Sequence, residues 1–370
     1  MRYDARNGYM LSGSLNRKGY DWWWHSFVAK NKQTGELEPF FIEYFIINPK
    51  GGGEQLPILG QFQNNKSKGI KPSYAMIKAG KWGNNKAQIH NFYPLKSVIA
   101  DRKKMDVRIG ENRANDTLIK GMVQMSEDDA TLHPEYMSDP GTMSWDLKVH
   151  SKTSYSVGYG TSWLFRKLNL FEMFWHIHGM KTVLSGRVEY NGIEYSVEPE
   201  TSYGYQDKNW GSDYTNPWIW LNCNNFKDSK GEHITDTSLD VGGGKPKVLG
   251  IGLGKKILVA FRTQGKLYEF NFSKFLFQKQ QWKCHTDRTD LYWDIEVANR
   301  THILEAHFKC PLSTMILVRY ENPEGHQLHK ELYNGGYAHG EVKLYEKHGH
   351  DKKQMGSFTG ELGGCEYGEY

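Results

Sequence analysis

Cysteine is scarce in this chain of 370 residues, and Cys223, Cys284, Cys310 and Cys365 stand far apart with no C-x-x-C pair. That spacing writes neither a zinc knuckle nor a dithiol redox site, so free buried thiols are expected. No window reaches the ~18 apolar residues of a membrane span. Met1 to Tyr20 mixes Arg2, Asp4, Arg6 and Arg17 with Gly and Ser and lacks the apolar stretch of a secretory signal, which makes cytoplasmic residence the default expectation. Basic runs are missing too: the net charge is +5, with Lys and Arg scattered among acids, and this argues against a nucleic-acid partner. Helical periodicity is weak everywhere.

What the chain has in abundance is aromatic residues, 14% of the total with 12 Trp and 22 Tyr, a composition that favours pleated strands carrying large rings. Period-two alternation recurs. In Leu267–Phe272 the rings fall on alternate residues, and in Leu291–Val297 apolar and polar sets separate onto opposite faces. Thr182–Tyr190 and Ile193–Val197 flank Asn191-Gly192, the pair that tolerates the positive φ of a tight hairpin. Gly51–Gly53 and Gly242–Gly244 read as flexible connections. Gly250–Gly254 lacks the helix and the Lys-Ser/Thr ending of a phosphate loop and reads as a turn or bulged strand. The length suits two domains, with a boundary placed near residue 160 in the Ser-, Gly- and Tyr-rich stretch His150–Gly160. The expectation is therefore all-β: two antiparallel barrels or sandwiches side by side, 1–160 and 161–370, the second carrying the site.

The most informative stretch runs from Phe174 to Phe226. Alternation puts Tyr203, Tyr205, Asp207 and Asn209 on one face, and Trp218, Trp220, Asn222 and Asn224 on one face of a following strand. An interior built only for packing rarely sets amides and a carboxyl beside its largest rings, because an unpaired buried polar group costs roughly 1–3 kcal/mol. A pocket does. The plainer alternative, that these amides tie down loops and that Asp207 pairs with Lys208, Lys181 or Arg187, stays open. His176 and His178 have the reach of a metal pair, but no third ligand follows at a telling spacing, and no metal is assigned.

The string Tyr205-Gln206-Asp207-Lys208-Asn209-Trp210-Gly211, followed by Pro217-Trp218-Ile219-Trp220 and Asn222–Phe226, resembles the tocopherol cyclase family and its bacterial relatives, two-domain lipocalin-like proteins related to carotenoid hydratases. His178-Gly179 and the Ser185-Gly186 hairpin match in character, whereas Tyr214-Thr215-Asn216-Pro217 departs from the Phe-Pro of many relatives. The resemblance implies a cofactor-independent cyclase or hydratase that protonates an isoprenoid or polyene double bond and lets an oxygen trap the cation. It implies catalytic roles for Asp207 as acid, with His178 and Tyr205 beside it. It also implies a substrate-binding set of Trp210, Trp218, Trp220, Asn222, Asn224, Asn209 and, from the aromatic strand of the first half, Trp24. A non-catalytic carrier of a lipid, pigment or quinone and a pericyclase are the alternatives. The partner is a hydrophobic small molecule; peripheral membrane contact for its uptake and the oligomeric state stay open.

Overall fold

The computed structural model describes residues 4–158, 167, 171–248, 251–252, 254–272, 274, 278–319, 321–326, 331–349 and 351–369. Strands dominate, and none of the helices among them is long and apolar enough to cross a membrane. The chain opens with β1 (Tyr20–Asn31), β2 (Leu37–Ile47), β3 (Tyr74–Lys81) and β4 (Ala87–Tyr93), then the short β5 (Val98–Ala100), β6 (Asp106–Ile109) and β7 (Asn112–Asn115). Next come β8 (Leu118–Met125), β9 (Gly141–Tyr155), β10 (Met173–Tyr190), β11 (Ile193–Val197) and β12 (Gly204–Gly211). All twelve form one antiparallel sheet in the order 4-3-2-1-11-10-9-8-7-6-5, with β12 wedged between β1 and β10. The Asn91 side chain on β4 bonds the backbone of Gln124 on β8 in both directions and draws the curled sheet closed.

The second sheet holds β13 (Trp218–Cys223), β14 (Phe226–Lys227), β15 (Ser238–Gly244), β18 (Lys256–Thr263), β19 (Lys266–Asn271), β20 (Lys279–Thr286) and β21 (Asp290–Ala298). Its remaining members are β22 (His302–Pro311), β23 (Ile316–Leu317), β24 (Glu331–His348) and β25 (Asp351–Glu369). A separate pair joins β16 (Lys247–Val248) to β17 (Ile251–Gly252). Gln280 of β20 accepts from Ile257 N of β18 at 2.8 Å, a single tie across the open side of this curled sheet.

The predicted hairpin is present: Tyr190 faces Ile193, and Asn191 and Gly192 sit at φ 48° and 78°. Strand β21 buries Leu291, Trp293, Ile295 and Val297 inside the second barrel, as its alternation requires. Two expectations need correction. Residue 160 does not divide the sheets, because β9 pairs with β10 through Tyr155 and Ile177; the switch falls between Gly211 and Trp218, so 173–211 belong to the first sheet. Gly242–Gly244 are not a flexible connection but the end of β15, paired to β13 and β18. Of the Gly250–Gly254 turn, Gly250 and Leu253 lie outside the described residues.

Each barrel has its own apolar interior, and a third cluster, including Trp24, Phe41, Trp175, Ile177, Trp218 and Trp220, lies between the two sheets. That middle layer positions the site.

Candidate active site between the two sheets

Residues opposite one another on antiparallel strands project from the same face. On the first sheet the register aligns Lys78, Glu43, Trp24, Asp207 and Ile177 across β3, β2, β1, β12 and β10. On the second it aligns Asn334, Glu366, Trp220 and Gly242 across β24, β25, β13 and β15. These two rows meet. Between them lies a cavity of about 30 Å³ walled by Trp22, Trp24, Trp218 and Trp220, with Asp207, Asn209, Glu43, Asn334 and Glu366 as its polar residues. By volume it admits about two waters or one reacting group, not a whole isoprenoid. A second, apolar cavity of about 80 Å³ adjoins it, sharing Trp218 and bordered by Trp175, Met173 and Leu258. A far wider concavity, about 760 Å³, is an open trough along Asp294, His307 and His339 that shares no residue with the sequence motif.

Asp207 is buried, and its two oxygens differ. Oδ2 accepts from Trp175 Nε1 at 2.7 Å and Tyr205 Oη at 3.1 Å, while Oδ1 has no hydrogen-bond partner among the described residues. Burial pushes the carboxyl up to about 7 against the pull of those two donors. Tyr205 in turn accepts from Trp220 Nε1 at 3.3 Å. None of the ion pairs among the described residues includes Asp207. Lys208, one residue on, points to the opposite face and pairs with Asp21; Lys181 bonds the carbonyls of Asn224 and Thr235.

Glu366 enters from the other sheet. Trp218 Nε1 donates to its Oε2 at 2.6 Å and Asn334 Nδ2 to its Oε1 at 3.1 Å; burial raises this carboxyl to about 7 as well. Glu43 is different, since Lys78 holds it in a buried ion pair at 3.0 Å. Asp240, fully buried beside Tyr205 and Asp207, is held well above the usual carboxylate range, first by burial and then by Asp207's charge.

Of the residues singled out by sequence, Asp207, Asn209, Trp24, Trp218 and Trp220 line the cavity, and Tyr205 braces the acid from behind. The other four neither line it nor touch Asp207. His178 is on the other side of β10, buried in the first barrel with its ring 6.2 Å from His25, and burial holds it well below the usual histidine range. Trp210 shares that interior, stacked on Phe174 at 5.4 Å, because alternation turns it away from Asp207 and Asn209. Asn222 donates to the carbonyl of Leu239 on neighbouring β15 (3.1 Å) and to that of Met180 on β10 (3.4 Å), and Asn224, just past β13, to that of Gly204 on β12 (2.9 Å), so these amides fasten the end of β13 to β15 and to the first sheet. Their polarity serves attachment.

The family profile of tocopherol cyclase-like proteins matches residues 53–369. The chain belongs to this tocopherol cyclase-like family. It is 30% identical over 176 residues to the chloroplastic tocopherol cyclase of Zea mays, a match covering 46% of this chain and 32% of that protein. The Oryza sativa subsp. japonica protein named "Probable tocopherol cyclase, chloroplastic" is 31% identical over 149 residues, 37% of this chain and 29% of its own length. The match thus spans about a third of each curated relative. Among solved structures, kievitone hydratase from Nectria haematococca is similar with a TM-score of 0.46 and 14% identity, covering 97% of this chain and 92% of that one.

Within this tocopherol cyclase-like chain, Gly242 has a positional role that its sequence context hides. A Cβ there would stand 2.2 Å from the Trp175 ring, so only glycine lets that indole lie across β15 and reach Asp207. Gly242→Ala is expected to displace Trp175 and destabilise the fold by about 1–3 kcal/mol. Urea unfolding and the Trp fluorescence spectrum check this; unchanged values for both contradict it.

Proposed function

We propose that this chain is a cyclase- or hydratase-type enzyme that adds a proton to a carbon–carbon double bond of a hydrophobic isoprenoid or polyene and directs an oxygen nucleophile onto the cation. The observation that carries this reading is the buried, bare Oδ1 of Asp207 at a small chamber walled by indoles. A carboxyl raised to about 7 keeps much of its proton at neutral pH and still gives a usable base after transfer. The Nε1 atoms of Trp218 and Trp220 are engaged with Glu366 and Tyr205, which leaves ring carbon toward the chamber. Each indole face stabilises a desolvated cation by roughly 0.5–2 kcal/mol. The adjoining apolar cavity continues the path past Trp175 and Trp218, a direction suited to a hydrocarbon tail, and its present volume requires side chains to yield when a chain enters.

The test is incubation of the protein with a prenylated hydroquinone and, separately, an acyclic polyene, with products separated by chromatography. Ring closure of the first or hydration of the second supports the proposal. Recovery of both unchanged, although bound, assigns the fold to carriage instead.

A further inference from the structure

Two carboxyls from opposite sheets face one small chamber, and their hydrogen-bond patterns are unequal. Asp207 collects both of its donors on Oδ2 and leaves Oδ1 bare. A proton on Oδ1 leaves both donors satisfied, whereas a proton on Oδ2 displaces one of them. Glu366 receives one donor on each oxygen, an arrangement that suits the ionised form. The orientation of Asn334 is fixed independently: its Oδ1 accepts from Trp82 Nε1 at 2.8 Å, and an indole can only donate, so Nδ2 is the atom turned to Glu366. Both donors to Glu366, the Trp218 indole and the Asn334 amide, are on buried residues of the second sheet.

We infer that Glu366 is the catalytic base that completes the reaction Asp207 begins, so that the acid comes from one barrel and the base from the other. This rests on the proton-transfer reading above and adds a residue to it. The Asp207 Oδ1–H bond breaks as its proton bonds one alkene carbon, and the π electron pair leaves the other carbon cationic. A lone pair of the oxygen nucleophile, the substrate's own hydroxyl or a water, forms the C–O bond. The proton that this oxygen then carries passes to a Glu366 oxygen. Asp207 ends ionised and Glu366 protonated; water entering as product leaves returns the proton from Glu366 to Asp207 across the chamber they share. Glu43 lines the same chamber but is committed to Lys78, and Asp240 lies behind Tyr205, outside the chamber's lining.

The inference separates the two half-reactions. With a prenylated hydroquinone in D₂O, Glu366→Gln is expected to lose ring product by about 10²–10⁴-fold while recovered substrate still gains deuterium at the alkene, since the cation forms and returns a proton to Asp207. Asp207→Asn is expected to lose both. Product formation by Glu366→Gln at the wild-type rate overturns the role of Glu366 and leaves the proton-donor reading standing. Full product formation by Asp207→Asn overturns that reading instead. A substrate-free arm decides the case in which the probe is not turned over. Of the infrared carbonyl absorption of protonated carboxyls near neutral pH, to which the buried Asp240 and Glu321 also contribute, one component is expected to vanish in Asp207→Asn and persist in Glu366→Gln, titrating at lower pH once its neighbour's charge is gone. A band that vanishes in Glu366→Gln and survives in Asp207→Asn overturns the inference.

Discussion

Replacing Asp207 with Asn is expected to remove activity and raise stability at alkaline pH. Loss of a positioned proton donor costs about 10²–10⁴-fold in turnover. The stability effect follows from the shift itself. A carboxyl at about 7 in the fold, against an ordinary value of 3.8, binds more protons folded than unfolded between those two values. Stability therefore falls as pH rises from about 4 to 7 and stays low above it, by up to roughly 4 kcal/mol for this group alone. Asn removes that penalty with little change of shape. Its Oδ1 accepts from Trp175 and Tyr205, and its amide hydrogens stand where the acid proton stands. Urea unfolding at pH 5 and pH 8 should show the variant gaining on the wild type at both, and by roughly 3 kcal/mol more at the higher pH. Equal behaviour at both, or undiminished turnover, contradicts the account. Glu366 carries a shift of the same sign, so the window belongs to the pair, and the two effects will not simply add.

The second large effect lies on the other face of the same strand. Lys208 and Asp21 form a wholly buried ion pair inside the first barrel, with the ammonium 3.9 Å from the centre of the Trp23 ring and 5.5 Å from that of Trp210. Burial raises Asp21 and lowers Lys208, and each is pulled back by the other's charge. Asp21→Asn leaves a buried cation without its counter-charge and is expected to destabilise the protein by about 3–5 kcal/mol. The double change Asp21→Asn with Lys208→Met is expected to recover most of that loss, because neither charge then needs compensation. Chemical unfolding of the three proteins tests this. A single variant as stable as the wild type, or a double variant no better than the single, contradicts it. Because Lys208 faces away from the chamber, turnover per folded molecule should survive in the double variant.

The alternation at 203–211 was legible because a strand buried on both sides still sorts its residues by parity. It placed Tyr205, Asp207 and Asn209 together and turned Lys208 away, and the structure agrees. The same parity turns Trp210 away, and the motif's richness in rings obscured that. The sheet switch was not legible because it falls inside the motif, in Ser212–Pro217, where composition does not change. Glu366 gave no local signal: it reaches the chamber through the pairing of β25 with β13, residues far apart in sequence. Two other buried acids did give one. Glu43 interrupts the apolar run Phe40–Ile47, and Asp240 stands between Leu239 and Val241. A lone carboxylate in such a run marks either a buried pair or a site, and here Glu43 is the first and borders the second.

Neutron diffraction from crystals grown near neutral pD locates hydrogen isotopes on carboxyl oxygens and so reads the protonation of Asp207 itself. Deuterium is expected on Oδ1 of Asp207, with Oδ2 held by Trp175 and Tyr205. A bare, fully ionised Asp207 in the chamber would contradict this.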